Sequence, residues 1–171
     1  DFKMLSNQLL NAEYMIDRYD ALIGMRGFPV EDKIKVFKKA YKLNVFHALR
    51  SEIINQLKAD ESKTTINLVK LAIRDNHVKV RKSTLNSVLL QNISLLPYYE
   101  ELLDDTYYTV EKALKVLCSQ YPQKTKSFIK KCDHLQGTRG LNIEIAKHEM
   151  ALKYIPEWKD SVAVELTNYV S

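Results

Sequence analysis

The chain has 171 residues, 46 % hydrophobic and 27 % charged, and its 26 basic against 21 acidic side chains leave a formal net charge of +5. That is enough chain for one domain with its own core, while two cysteines exclude a disulfide scaffold and a cysteine-based zinc cluster. Four Gly and four Pro, well below the roughly 12 % of average usage, are too few breakers for a β-sandwich, a propeller or a glycine-loop nucleotide fold.

The opening segment to Met25 carries Phe2, Leu5, Leu9, Ala12, Ile16, Tyr19 and Ile23 at helical spacing, with a break near Asn11, and Gly24, Gly27 and Pro29 end it. Val30, Ile34, Phe37 and Tyr41 then form one face of a second helix, opposite Lys35, Lys38, Lys39 and Lys42. A third helix is expected from Asn44 to Lys58, closed by the polar stretch at 60–63, and a fourth from Thr65 to Arg74 with Ile66, Val69 and Ile73 on one side. Asp75 and Asn76 mark a tight connection before a fifth helix carrying Val78, Leu85 and Leu89. Pro97 suits the first turn of a sixth, where its missing N–H is no loss. Val110, Ala113, Leu114, Leu117, Cys118 and Tyr121 give the seventh the cleanest period, and Pro122 stops it. Phe128, Ile129, Cys132 and Leu135 belong to an eighth, followed by a loop at Gly137 and Gly140. The last pair is expected over Asn142 to Tyr154 and Trp158 to Tyr169, divided at Pro156. No segment alternates with period two, so the fold class is all-α, about ten antiparallel helices of roughly 10 to 16 residues each. No run approaches the roughly 18 uninterrupted apolar residues of a membrane span, and no signal peptide opens the chain.

A repeat underlies these helices. A shift of 30 residues lays Ala72-Ile73-Arg74-Asp75 over Leu102-Leu103-Asp104-Asp105, Val80 over Val110 and Lys82 over Lys112, with degenerate copies around Val45 and Ile143. An apolar pair, an Asp at the turn and a Val five residues later is the pattern of HEAT-type helical repeats: the Asp can cap the next helix, and the Val packs inward between helix pairs. The expected architecture is therefore a HEAT/ARM-like α–α superhelix, with residues 1–171 as a single helical-repeat domain.

No catalytic constellation stands out. His47, His77, His134 and His148 include no pair three or four apart, so no helix offers a two-histidine metal face. His148-Glu149 begins a His-Glu-x-x-His motif, but Leu152 occupies the second histidine position, so His148 reads as a surface residue rather than a ligand. Cys118 and Cys132 lie on apolar stripes and read as buried thiols. Asp104 and Asp105 fit turn and capping roles better than acid–base catalysis, and Trp158 after Pro156 reads as a packing anchor. The cluster on the second helix and a second one at Lys124, Lys126, Lys130 and Lys131 would track phosphates only if one face presented both, and the net excess is small; nucleic-acid binding is expected to be weak and non-specific at most.

Several segments resemble one family. Asp17-Arg18-Tyr19-Asp20-Ala21-Leu22 is similar to a helix at the start of the C-terminal helical domain of aminopeptidase N-like zinc metallopeptidases, bacterial ones above all. Leu102-Leu103-Asp104-Asp105-Thr106-Tyr107-Tyr108-Thr109-Val110, with Ala113-Leu114 and Tyr121-Pro122, resembles the repeat late in that domain. Gly140-Leu141-Asn142-Ile143 resembles the family's Gly-x-Asn-Val-like turn, although Glu144 stands where a basic residue is more typical. The resemblance covers nearly the whole chain. It implies a non-catalytic domain that packs against the parent's catalytic domain, encloses the peptide-binding chamber and meets peptide substrates at its wall. The family's zinc ligands and catalytic Glu lie upstream, so no catalytic, metal or cofactor residue carries over to this chain; zinc belongs to the parent's catalytic domain. Some members offer a basic residue from this domain to the substrate carboxylate, and no residue here is identified as its counterpart. A start on Asp1 rather than Met agrees with a piece of a longer protein. An independent HEAT-type protein-binding scaffold and a weakly basic HEAT-like nucleic-acid binder are the alternatives.

Overall fold

The computed structural model describes residues 1–43, 45–132, 134 and 138–158. All regular structure among the described residues is helical, with no strand. Ten α-helices follow one another: α1 (Phe2–Asn11), α2 (Met15–Gly24), α3 (Val30–Lys42), α4 (His47–Gln56), α5 (Lys63–Ile73), α6 (Val78–Ser83), α7 (Leu96–Glu100), α8 (Tyr107–Gln120), α9 (Thr125–Lys130) and α10 (Thr138–Tyr154), with short 3-10 turns between and after them. The chain forms two compact units, one up to Asn92 and one from Ile93.

In the first unit, Leu9, Leu22, Met25, Phe37, Leu49, Ile53, Ile54, Leu57, Leu68 and Val80 make one core. The helical stripe of α3 is as the sequence requires: Phe37, Ala40 and Tyr41 are buried while Lys35, Lys38, Lys39 and Lys42 are exposed. The break near Asn11 is real, because Ala12 adopts an extended conformation with ψ of 142°. Arg18 Nε donates to the Ala12 carbonyl at 2.6 Å and Gln8 Nε2 to the Asp17 carbonyl at 2.6 Å, which fastens α2 back onto α1. The two helices come so close that a Cβ at Gly24 would lie 3.2 Å from Leu5 Cδ2. The break also changes the helical phase, so the apolar stripe does not continue across it as expected, and Ile16 is 64 % exposed.

The fifth expected helix is cut short. Ser83 Oγ donates to the Val80 carbonyl and Thr84 Oγ1 to the Arg81 carbonyl, both at 2.6 Å, and Ser87 Oγ accepts from Leu89 N–H at 3.1 Å. Hydroxyls that bond the local backbone compete with helix propagation, so α6 ends at Ser83 and 3-10 turns at Thr84–Asn86 and Val88–Gln91 carry Leu85 and Leu89 inward instead.

In the second unit Val110, Ala113, Leu114, Leu117 and Cys118 are all fully buried on α8, against which α10 packs. Pro122 ends α8 as expected and opens a 3-10 turn. Two expectations fail in α10. Gly140 does not mark a loop but lies within the helix, which begins at Thr138. His148 is not at the surface but buried; Ala151, three residues on, and Ile155, seven on, pack together with Ile129 and Leu152. The turn at Gly137, the Trp158 side chain and the expected final helix to Tyr169 lie outside the described residues.

Candidate functional site

The 30-residue repeat brings polar side chains together at one point of the first unit. Val80 and Val110 occupy the inward position of their repeats and are fully buried. One repeat earlier the same position is Arg50. A guanidinium placed where the pattern puts a valine needs compensation, since a buried charge is tolerated only when paired and hydrogen-bonded. The turn of the following repeat supplies it. Arg50 Nε donates to Asp75 Oδ2 at 2.8 Å and Nη2 to Asp75 Oδ1 at 3.0 Å, a bidentate pair between side chains only 8 % and 6 % exposed. Arg50 also donates to the Val45 carbonyl and, at 3.2 Å, to Asn76 Oδ1. Tyr41, on the last turn of α3, donates its hydroxyl proton to Asp75 Oδ2 at 2.7 Å.

The electrostatics follow from these contacts. Burial pushes the Asp75 carboxyl up, but hydrogen bonds from Arg50, Tyr41 and the His77 amide, with the Arg50 charge, outweigh it and hold the carboxyl below its usual value. The Asp75 hydrogen bond, ahead of the opposing burial, pushes the Arg50 guanidinium further up. Burial and the bond to Asp75 raise the Tyr41 hydroxyl far above its ordinary range. None of the three exchanges protons near neutrality. Over them lies an open cleft of about 400 Å³ lined by Tyr41, Lys42, Arg50, Leu71, Asp75 and Asn76.

Beside the cleft, the His47 and His77 rings stack with centroids 3.7 Å apart and planes 2° from parallel, and Phe46 meets His47 edge-on at 4.6 Å. His77 Nδ1 accepts from the Lys79 amide at 3.1 Å and so caps α6. Burial lowers the His47 pKa, and electrostatic interaction with His77, Lys79 and Arg50 adds to this against the attraction of Asp75. Within-helix spacing gives no hint of this pair. The repeat does, because His47 and His77 are 30 residues apart, as are Arg50 and Val80.

A second polar cluster ties α2 to α3 and α4. Lys33 Nζ is buried and donates to the Met25 carbonyl at 3.0 Å, to the Arg26 carbonyl at 3.4 Å and to Gln56 Oε1 at 2.9 Å. Gln56 Nε2 reaches the Leu22 carbonyl at 2.7 Å, and Arg26 pairs with buried Glu52 at 2.6 Å. The Lys33 and Gln56 contacts add side-chain donors to carbonyls at the end of α2, where the Leu22 and Met25 oxygens also accept from the Met25 and Phe28 amides.

The other expected residues have structural surroundings. Cys118 and Cys132 are buried free thiols, and burial pushes Cys118 up to about 11. Asp105 Oδ1 accepts from the Thr106 amide at 2.6 Å; like Asp75 it braces its turn from just ahead of the residue at the cap. His134 Nε2 lies 2.7 Å from the Asp105 carbonyl and Nδ1 3.5 Å from Asp104 Oδ1. Lys124, Lys126, Lys130 and Lys131 are exposed, and Lys131 pairs with Glu100. The two basic clusters belong to different units. Among the described residues no group of three or more His, Cys, Asp and Glu side chains is placed to hold a metal ion, and no helix is long and apolar enough to cross a membrane. Comparison of the chain with protein-family models, with curated proteins and with solved structures finds no match.

Proposed function

We propose that this chain is the non-catalytic, C-terminal helical-repeat domain of an aminopeptidase N-like zinc metallopeptidase, packed against the catalytic domain and enclosing the chamber in which peptides are cut. The observation that carries the reading is the pair of matching turns. Asp75 with Val80 and Asp105 with Val110 recur at the same spacing, each Asp accepting from a backbone amide of its turn and each Val fully buried. The second of these turns is the segment in which the family resemblance is densest. Ala21 and Leu22, in the other resembling segment, are buried on α2. The buried polar groups of the first unit hold helices together, which suits a domain whose contribution is steric. The zinc and the catalytic Glu belong to the parent's catalytic domain, and this chain's own residues supply walls.

The residues encoded ahead of Asp1 test this directly. A Gly-x-Met-Glu-Asn and a His-Glu-x-x-His motif there would support it, and a Met start within a few residues would overturn it. A second test is biochemical: the isolated chain should hydrolyse no aminoacyl-anilide and retain no stoichiometric zinc after dialysis. About one zinc per chain with chelator-sensitive hydrolysis would mean that the chain is itself an enzyme. The half-exposed apolar residues around the cleft favour one alternative, an independent protein-binding scaffold, which the upstream sequence also separates from the first reading.

A further inference from the structure

The mouth of the cleft is apolar and basic together. Leu71 lines it and is 49 % exposed, and the segment that continues from Lys42 bears Leu43 and Phe46 at 48 % and 49 %. Leu71 in the lining, with half-bare apolar side chains on the segment that follows lining residue Lys42, is the kind of surface that a partner covers. The charge nearest them is basic, the acidic Glu31 and Asp32 lying at the far end of α3. Lys42 lines the cleft, Lys35, Lys38 and Lys39 continue the exposed face of α3, and none of the four is ion-paired with a described residue. The only carboxylate in the lining is Asp75, which is committed to Arg50 and Tyr41. Arg50 in turn is held by Asp75, Asn76 and the Val45 carbonyl, so the lysines alone are left to receive an anion.

We propose that this cleft docks an acidic polypeptide segment bearing a bulky apolar side chain. The apolar group covers Leu43, Phe46 and Leu71, and the flanking carboxylates meet Lys38, Lys39 and Lys42. Lysines at the rim steer the segment in, and the apolar contact retains it. A nucleic acid fits less well, because Leu43 and Leu71 would face a hydrated sugar–phosphate backbone and the Phe46 ring is already set edge-on to His47. The inference does not depend on the parent being a peptidase.

The test is fluorescence anisotropy of three labelled peptides with the whole chain: a Leu-Phe pair flanked by glutamates, the same peptide with the pair replaced by serines, and the same peptide with lysines for glutamates. The first should bind saturably and the other two at least about tenfold more weakly. Leu71→Glu and Lys42→Glu alter exposed side chains, so the fold, checked by circular dichroism, should persist. Each should weaken the first peptide about tenfold, added salt should weaken it too, and Lys124→Glu in the other unit should not. Equal binding of all three peptides, or no response to Leu71→Glu and Lys42→Glu, overturns the proposal. So does sedimentation showing a dimer that Leu71→Glu dissociates, since the occupant would then be a second copy of the chain.

Discussion

The turns at Asp75 and Asp105 occupy the same place in successive repeats and have different structural consequences. Asp105 bonds the adjacent Thr106 amide, beside an Asp104 side chain that is 80 % exposed. Asp75 bonds the His77 amide, two residues on, and also holds the Arg50 guanidinium and the Tyr41 hydroxyl, drawn from α4 and α3. What separates them is the residue at the inward position of the preceding repeat: Val80 stands before Asp105, and Arg50 before Asp75. One substitution in a repeat thus turns a local turn brace into a junction of three helices.

The largest effect should come from breaking that junction. Asp75→Ala leaves Arg50 buried without its anion and should destabilise the first unit by about 3–5 kcal/mol. Asp105 is only half-buried, so Asp105→Ala should cost less, about 1 kcal/mol. Urea unfolding followed by circular dichroism compares the two, and equal losses would erase the distinction. Arg50→Met sharpens it. Alone it strands the Asp75 carboxylate and should be strongly destabilising, but combined with Asp75→Asn it gives the first unit an apolar inward residue like the others. The double variant should be more stable than either charge-stranding single variant and within about 2 kcal/mol of the parent.

A smaller effect should appear on acidification. The Asp75 carboxyl is held below its unfolded value, so on acidification the unfolded chain takes up the proton first. Its contribution is complete above about pH 4 and is lost as pH falls through the lower native value. Asp75→Asn should remove that part of the acid limb. His47 acts with the same sign at higher pH. Burial and the neighbouring cations lower its native pKa, so stability is complete above about pH 6.5 and declines from there down through the native value. His47→Gln should flatten this slope, which is shallow because the ring is partly solvated. An unchanged stability–pH curve in His47→Gln would show that the stacked pair is not felt energetically.

The smallest effect lies in the second unit. Cys118 is fully buried and its thiol is raised to about 11, so at pH 8 it should react with a thiol reagent only as fast as that unit opens. Labelling within seconds in the absence of denaturant would contradict the packing of α8.

Much of this arrangement can be read from the chain. The α3 and α8 stripes, the break after Asn11, the stop at Pro122 and the inward valines all follow from helical period and local backbone preference, which act within a few residues. Expectations failed where longer-range packing decides. Gly140 is carried inside α10, and His148 is buried on the same helix, near the small cluster that Ala151 and Ile155 form with Ile129. The early end of α6 was legible in principle in Ser83, Thr84 and Ser87. The polar junction was legible only by carrying the repeat one step back, to Arg50 under Val80 and His47 under His77; spacing within a single helix has no access to it. Lys33 sits on the apolar side of α3, where sequence alone reads a lysine as solvated, and nothing nearby in the chain announces the carbonyls it meets.

That buried lysine has a chemical consequence. Acylating reagents discriminate among amines by access before they discriminate by basicity, and Lys33 gives its protons to two carbonyls and a glutamine amide in the interior. Lys35, Lys38, Lys39 and Lys42, on the open side of the same helix, are free to the reagent. A brief acetylation pulse read by mass spectrometry would therefore mark the outer four at once and leave Lys33 unmarked until α2, α3 and α4 separate. The helix carries its own internal standard, with the outer amines recording reagent dose and the inner one recording how often the first unit comes apart.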